Sequence, residues 1–422
     1  MGILSSIYNR LLTKWVHAGA GIHGVSSYLL SPDGFRSSPA KRLKLLTLSA
    51  ESGGDPPRQQ IQSRPICLFA AYSSDVTLST LYYLRLLSAL GFAIVYINNQ
   101  ITSRESYRVL SDLVWLAFDR PNIGQDVGAY KDGILWLEAN GHLHGCPCLA
   151  IVNDSMQFIP GAYASRLGEE VRAFLGSDSP ALFTHVSQQV LPHYQSFFQI
   201  LKPEVFLSRP FLSFWKKYTP YSHRQHCIHS GEIKISQKVY NLLSGVTVLY
   251  TSEGLHRQLL RKFDGDEGII AEDLLYLMPS PYRTIIKSVT NPALSQLLTA
   301  RGGRQALQRS ELMCVSDLIE NSNPTHVAAF LYPAFLHCPL LKRDICFAGS
   351  FTIAQAINLY REMLDNSMAD QDESGEIRDK LQQEYQTYLY RKGVPLGYAN
   401  RKVAALLKGL GGGFVYSGTY SG

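Results

Sequence analysis

The chain has 422 residues, 45% hydrophobic and 18% charged, which suits two or three packed units and excludes a disordered polymer. Its net charge of +6 is too small for a nucleic-acid footprint, and it leaves room for phosphorylated substrates or an anionic lipid surface. Seven scattered cysteines without a C-x-x-C pair argue against a disulfide framework and for a reducing cytosol.

No run approaches the roughly 18 apolar residues that a membrane span requires, and the N-terminus lacks the succession of a signal peptide. A soluble or peripheral protein is expected. Met1-Gly-Ile-Leu-Ser-Ser fits the loose myristoylation pattern, which is short enough to match by chance. Residues 3–17 carry Ile3, Leu4, Ile7, Leu11, Leu12 and Trp15 at helical spacing, a pattern shared by docking helices and interfacial membrane helices. From Ser31 to Arg64 the composition turns to Ser, Pro, Gly and basic residues, so residues 1–64 read as an N-terminal helix and linker, with a domain beginning near Ile66.

From Ile66 onward short apolar runs alternate with helical periods. Ile66 to Ala71, Phe92 to Ile97, Val114 to Phe118 and Cys148 to Val152 read as strands, with helices at Leu78 to Ala89 and from Val127 to Glu138. This βαβ alternation predicts an α/β fold with a Rossmann-type, mainly parallel sheet covered by helices. Ligands of such sheets sit beyond the carboxyl ends of the strands, where Ser73 to Asp75, Arg120 to Asp126 and Asn153 to Ser155 all fall. The G-x-G-x-x-G fingerprint after a strand is absent, against a common dehydrogenase; Gly409 to Gly413 reads as a flexible tail.

The stretch Arg120 to Ile134 holds three glycines, two aspartates and a lysine between apolar segments. Gly124, Gly128 and Gly133 would let a ligand approach the backbone, and the helix N-terminus suits a phosphate. Asp126 could accept hydrogen bonds from a base or ribose, while Arg120 and Lys131 could neutralise a diphosphate; a polar turn capping a helix is the competing reading. In Asn153-Asp-Ser, the Asp154 carboxylate could hold Mg²⁺ or Mn²⁺ against a nucleotide diphosphate, or else cap the following turn.

His193, Gln195 and Ser196 precede an apolar strand and are candidates for touching acceptor or donor hydroxyls. Phe211, Phe214 and Trp215 could stack on a sugar ring, although core packing accounts for them as well. His223, His226, Cys227 and His229 are crowded enough to include a metal ligand, but supply fewer secure ligands than zinc needs. Beyond Tyr250 the pattern is mainly helical. Phe351 to Met363 and Ile377 to Tyr390 are separated by the acidic Asp365 to Glu376 segment, as in a helical hairpin or a partner-binding extension.

The order of several motifs resembles the rhamnan synthesis protein F family of bacterial polysaccharide glycosyltransferases. They are the opening strand with Tyr82-Tyr-Leu-Arg-Leu-Leu, Asn122 to Gly133, Ile151-Val-Asn-Asp-Ser, His193-Tyr-Gln-Ser-Phe-Phe, Phe214-Trp, Glu232-Ile-Lys-Ile-Ser and Asn323-Pro-Thr-His. The resemblance covers roughly residues 66 to 345. It implies a GT-A-like nucleotide-sugar-binding domain over 65–250 and a helical completion over 251–345; it does not explain residues 346–422, which read from their pattern as a helical extension with a Gly-rich tail.

The implied activity is transfer of rhamnose or a related sugar, from dTDP- or GDP-rhamnose, to a lipid-linked or polysaccharide acceptor, as in O-antigen or cell-wall assembly. The implied location is cytoplasmic, with peripheral contact at the inner face of the membrane; nucleic acid is not an expected partner. By correspondence with inverting GT-A enzymes, Glu232 is the candidate base that deprotonates the acceptor hydroxyl, against the alternative of a first-turn glutamate favouring a helix dipole. Asn153-Asp-Ser departs from the usual Asp-x-Asp signature, so a non-catalytic nucleotide-sugar- or glycan-binding subunit stands as the second reading.

Overall fold

The computed structural model describes residues 42–46, 63–188, 191–263, 271–279, 309–346, 351–369 and 374–392. The N-terminal helical pattern, the Gly-Pro core of the linker and the Gly-rich tail lie outside the described residues.

Part of the expected linker is a strand. Lys44–Leu45 (β1) pairs antiparallel with Leu116–Asp119, and Leu43 joins the core beside it. Composition hid this segment because its basic Arg42 serves a buried carboxylate described below. Ile66–Ala71 (β2) and Ala93–Asn98 (β3) are buried along their whole length, as strands covered on both faces must be. Between them Leu78–Ala89 (α1) starts where the Thr77 hydroxyl accepts from Thr80 N. Arg104–Ser111 (α2) follows, capped in the same way by Ser103, and leads to Leu116–Asp119 (β4). Gln125–Ala139 (α3), Leu149–Asn153 (β5), Met156–Phe158 (β6), Ala162–Leu175 (α4) and Ala181–Phe183 (β7) continue the alternation. A small hairpin of Val186–Ser187 (β8) and His193–Tyr194 (β9) precedes Phe198–Leu201 (β10).

After β10 come Arg209–Lys217 (α5) and a continuous helical run over 224–238, in which Cys227–Ile233 is π-helical; Thr247–Val248 (β11) follows. The later part is mainly helical, with Ser252–Phe263 (α6), Arg309–Glu320 (α7), Ile353–Ser367 (α8) and Ser374–Lys392 (α9). Among the described residues one strand interrupts it. Leu340–Lys342 (β12) pairs antiparallel with β6.

Among the described residues the main sheet has eight strands in the order β1-β4-β3-β2-β5-β10-β7-β11. β4, β3, β2 and β5 run parallel, and β10 runs against both β5 and β7. The mostly parallel α/β architecture is therefore the one that the alternation predicts. Neighbouring side chains serve opposite layers, as a two-residue period requires. Cys67, Phe69 and Ala71 meet α1 and α4, whereas Ile66, Leu68 and Ala70 meet α3 and α5. Phe211, Phe214 and Trp215 belong to that second layer and are core residues.

The C-terminal hairpin of α8 and α9 packs on the body. Tyr360 Oη donates to the Phe158 carbonyl at 3.3 Å, and Glu384 accepts from the N-terminal amides Leu78 N (2.5 Å) and Ser79 N (3.2 Å) of α1, which have no partner within their own helix. The pair is a helical hairpin docked on α1, as one of the two readings of its pattern expects. The strand order reverses between β2 and β5, and this reversal opens a crevice at their carboxyl ends.

Candidate functional site

A cavity of about 630 Å³ fills that crevice. Its floor is formed by the ends of β2 and β5, one wall by the start of α3 and the 224–238 helical run, and the other by residues 342–344 with Tyr388 of α9. Asp126, Asn153, Asp154, Ser155, His193, Gln195, Ser196 and Glu232 all line it, so four separate stretches of the sequence meet in one volume.

Asn153 organises the floor. Its amide donates to Asp126 Oδ2 at 2.7 Å, and its carbonyl accepts from Ser155 N at 3.0 Å. Asp126 Oδ1 also accepts from Val127 N at 2.9 Å. Burial, with the charge of Glu232, raises the Asp126 carboxyl above its ordinary value. Asp154 is half-buried and accepts from Tyr72 N at 2.9 Å.

Glu232 faces this floor across the cavity. Its Oε2 accepts from Ser196 Oγ at 2.5 Å, and its Oε1 lies 3.2 Å from His193 Nε2. Burial alone would raise the Glu232 carboxyl; hydrogen bonds from His193 and Ser196, with the charges of His193 and Lys342, reverse the sign and hold it low. The residue sits within the π-helical turn of a longer helix, so the reading of a first-turn glutamate fails. Gly231 allows this turn to approach α3, since a Cβ there would lie 2.8 Å from Val127 Cγ1. His193 directs Nδ1 at the Leu191 carbonyl (2.7 Å), and its Nε2 is also 3.1 Å from Gln195 Nε2. Both ring nitrogens are engaged within the protein, which corrects the expectation of a sugar contact for His193.

Arg120 and Lys131 are not at the cavity. Arg120 is enclosed, with Nε 3.1 Å from Asp132 Oδ2 and further bonds to Asn99 and the Ile123 carbonyl. Arg42 completes a buried three-residue cluster, its Nε and Nη2 donating to the two Asp132 oxygens at 2.9 and 2.5 Å. Lys131 donates to the carbonyls of Lys216 and Tyr218, and burial lowers its ammonium to about 8. Lys131 lies on the face of α3 that meets the end of α5, and Arg120, in the loop before α3, turns to Asp132 on that helix. Lys131→Met should therefore leave nucleotide-sugar affinity unchanged in calorimetric titration, while unpairing two carbonyls costs about 1 to 3 kcal/mol in urea unfolding.

The glycines also serve packing. Only Gly124 of the three has positive φ (74°), and a Cβ there would lie 2.5 Å from Pro220 Cβ. A Cβ on Gly128 would lie 2.0 Å from the Ile123 carbonyl oxygen. These close approaches are to the protein's own chain, not to the cavity.

The cations at the cavity come from residues whose motifs carried no role in the sequence reading. Lys342 of β12 donates to Ser155 Oγ at 3.1 Å and lies over the Phe197 ring. Arg343 reaches Gln157 and Thr77, with its guanidinium carbon 5.7 Å from the Tyr388 ring centroid. Asp344 ties Arg224 (3.0 Å) to His326 (3.2 Å) of the Asn323-Pro-Thr-His motif. Burial would raise Asp344, but His326, Lys342 and Arg224 hold it far below the usual carboxylate range. The signal available was a basic pair directly after the apolar Pro339-Leu-Leu, in the last stretch of the family resemblance.

A divalent ion would find one well-placed carboxylate, Asp154. That fits Mg²⁺ or Mn²⁺ when phosphates and water complete the shell. Among the described residues no three His, Cys, Asp or Glu side chains converge as a metal cage, and His226 of the crowded patch instead binds the Thr219 carbonyl.

Three comparisons locate the chain among known proteins. An uncharacterized protein, y4gN, of Sinorhizobium fredii is 28% identical over 173 residues, 39% of this chain and 43% of that protein. The chain thus spans under half the length of that curated relative. A structure of glucosyl-3-phosphoglycerate synthase from Mycobacterium tuberculosis, complexed with Mn²⁺, uridine diphosphate and glucosyl-3-phosphoglycerate, is 8% identical with a TM-score of 0.28, over 48% of this chain and 75% of that one. Mouse xyloside xylosyltransferase 1 in its apo form is 11% identical with a TM-score of 0.21, over 40% and 76%. The family model described as Rhamnan synthesis protein F matches residues 94–250, the segment from β3 to Tyr250 that holds Asp126, Asn153 to Ser155, His193 and Glu232, and it is the family that the motifs resemble.

Proposed function

We propose that the chain is a GT-A-like glycosyltransferase that moves a sugar, rhamnose or a related deoxysugar, from a nucleotide-sugar donor to a lipid-linked or polysaccharide acceptor. The observation that carries this reading is the meeting of a carboxylate base, Glu232, with Asp154 and the cations Lys342 and Arg224 around one cavity at the strand switch point. The match to the rhamnan synthesis family supports the sugar class.

The division of labour follows from charge. Donor diphosphate gains negative charge as the anomeric carbon–oxygen bond breaks, and Lys342 and Arg224 are positioned to offset it. Asp154, close to such an anion, would repel it unless a cation lay between them; a bound Mg²⁺ or Mn²⁺ would supply that charge. Asp126 and Asn153, hydrogen-bonded to each other, offer acceptor oxygens and an amide to the base or ribose. Glu232, on the opposite wall, takes the proton of the acceptor hydroxyl as that oxygen attacks, which inverts the anomeric centre.

Incubation with a panel of nucleotide sugars and glycan acceptors, read as nucleotide release and product mass, tests the reading. Transfer from one donor supports it. Donor binding with no turnover across the panel would replace it with the non-catalytic binding subunit. A parallel series in chelator separates the two sources of positive charge, since loss that Mg²⁺ or Mn²⁺ restores assigns an ion to Asp154. Lys342→Met is expected to lower kcat/KM by roughly 10- to 100-fold, the scale of one charge-assisted hydrogen bond, with little change in thermal stability. Unchanged transfer by that variant would remove Lys342 from the leaving-group site.

A further inference from the structure

His193 shares the cavity wall with Glu232 but has no ring nitrogen left for a ligand. Its Nδ1 can only donate to the Leu191 carbonyl, 2.7 Å away, because a carbonyl is an acceptor. In a neutral ring Nε2 would then present a lone pair to Glu232 Oε1 at 3.2 Å, two acceptors facing each other. A protonated ring removes this conflict, because both nitrogens then donate, and it sets the Gln195 amide, 3.1 Å from Nε2, with its oxygen toward the ring. We infer that His193 is a positioning residue whose imidazolium keeps Glu232 an aimed, ionised carboxylate in the cavity wall. The inference rests on Glu232 being the base of the proposed transfer.

The surrounding groups agree in sign. Glu232 faces Ser196 from the strand side, Asp126 from α3, Lys342 from β12 and His193 from β9. Asp126 works against a second negative charge, whereas Lys342 and His193 favour it. Burial also works against a charged His193, yet its bonds to Glu232 and Leu191 outweigh burial and raise the imidazole above its ordinary value. When Glu232 accepts the acceptor proton, the pair becomes net positive while the donor diphosphate becomes more negative. No further proton carrier is required in that step.

Removing the imidazolium leaves burial unopposed by its strongest partner, so Glu232 should protonate at higher pH. In the full-length protein, His193→Phe, which keeps a ring and loses both donors, should move the acid limb of kcat upward by about 1 to 2 pH units, the scale of a charged hydrogen bond. Turnover should recover in part above the new limb, and His193→Gln, with one neutral donor, should bring the limb partly back. Nuclear magnetic resonance of the wild type should find His193 titrating above the free-histidine value, and falling in Glu232→Gln. A structural role alone would lower stability or turnover at every pH and leave the limb in place. An unmoved acid limb in His193→Phe, or a His193 that titrates at or below the free value, overturns the inference alone. Near-normal turnover by Glu232→Gln overturns the base assignment and this inference with it.

Discussion

Glu232→Gln is expected to lower turnover at saturating donor by about 10²- to 10⁴-fold while donor affinity survives. The substitution keeps the volume of the side chain and removes its basicity, so the acceptor oxygen would have to attack while still carrying its proton. Ser196 and His193 both donate to the native carboxylate, and an amide can accept at only one oxygen. Some local instability is therefore anticipated, which thermal unfolding of the same preparation measures. Rapid transfer by a well-folded variant would require another base, or a retaining mechanism that needs none.

The second large effect concerns stability. Asp132→Ala should cost about 3 to 5 kcal/mol in urea unfolding, because it leaves the guanidinium groups of Arg42 and Arg120 buried without their shared carboxylate. Both arginines and Asp132 are nearly inaccessible to solvent. The cluster ties the edge strand β1 to α3 and to the end of β4, so fraying of residues 42–46, seen as faster amide exchange, should accompany the loss. A change under about 0.5 kcal/mol, the range of an ordinary surface substitution, would mean that the charges are solvated and that the cluster does not hold the edge.

The alternation of strand and helix was legible because each strand of the β2 to β5 series is a short apolar run bounded by polar residues at its carboxyl end. Asp126, Asn153 and Asp154 were legible for the same reason: position after a strand places a side chain on the ligand edge whatever its eventual contacts. Burial was not legible. A cation beside glycines looks the same in sequence whether it meets a phosphate or, like Arg120, a buried aspartate. The glycines themselves were ambiguous, since Gly128 meets a carbonyl of its own chain as closely as another glycine could meet a ligand. Lys342 and Arg343 were missed because β12 is three residues long and has no period to read; only its pairing with β6 brings it to the site. Arg42 was hidden in a stretch whose average composition resembles a linker.

That pairing also fixes when the site can exist. Arg343 and Gln157 touch across 186 positions of sequence, and contacts so distant form slowly because a long loop must close first. During synthesis from the N-terminus, β2 to β5 and the Glu232 helix are complete long before Lys342 emerges from the ribosome. A nascent chain halted at that stage would hold Glu232, Asp154 and Asp126 around a crevice open on one side, lacking Lys342 and Arg343 and with Arg224 still without Asp344. It would hold the anionic donor less well until Lys342 arrived, so affinity for a nucleotide sugar would report on the completion of folding.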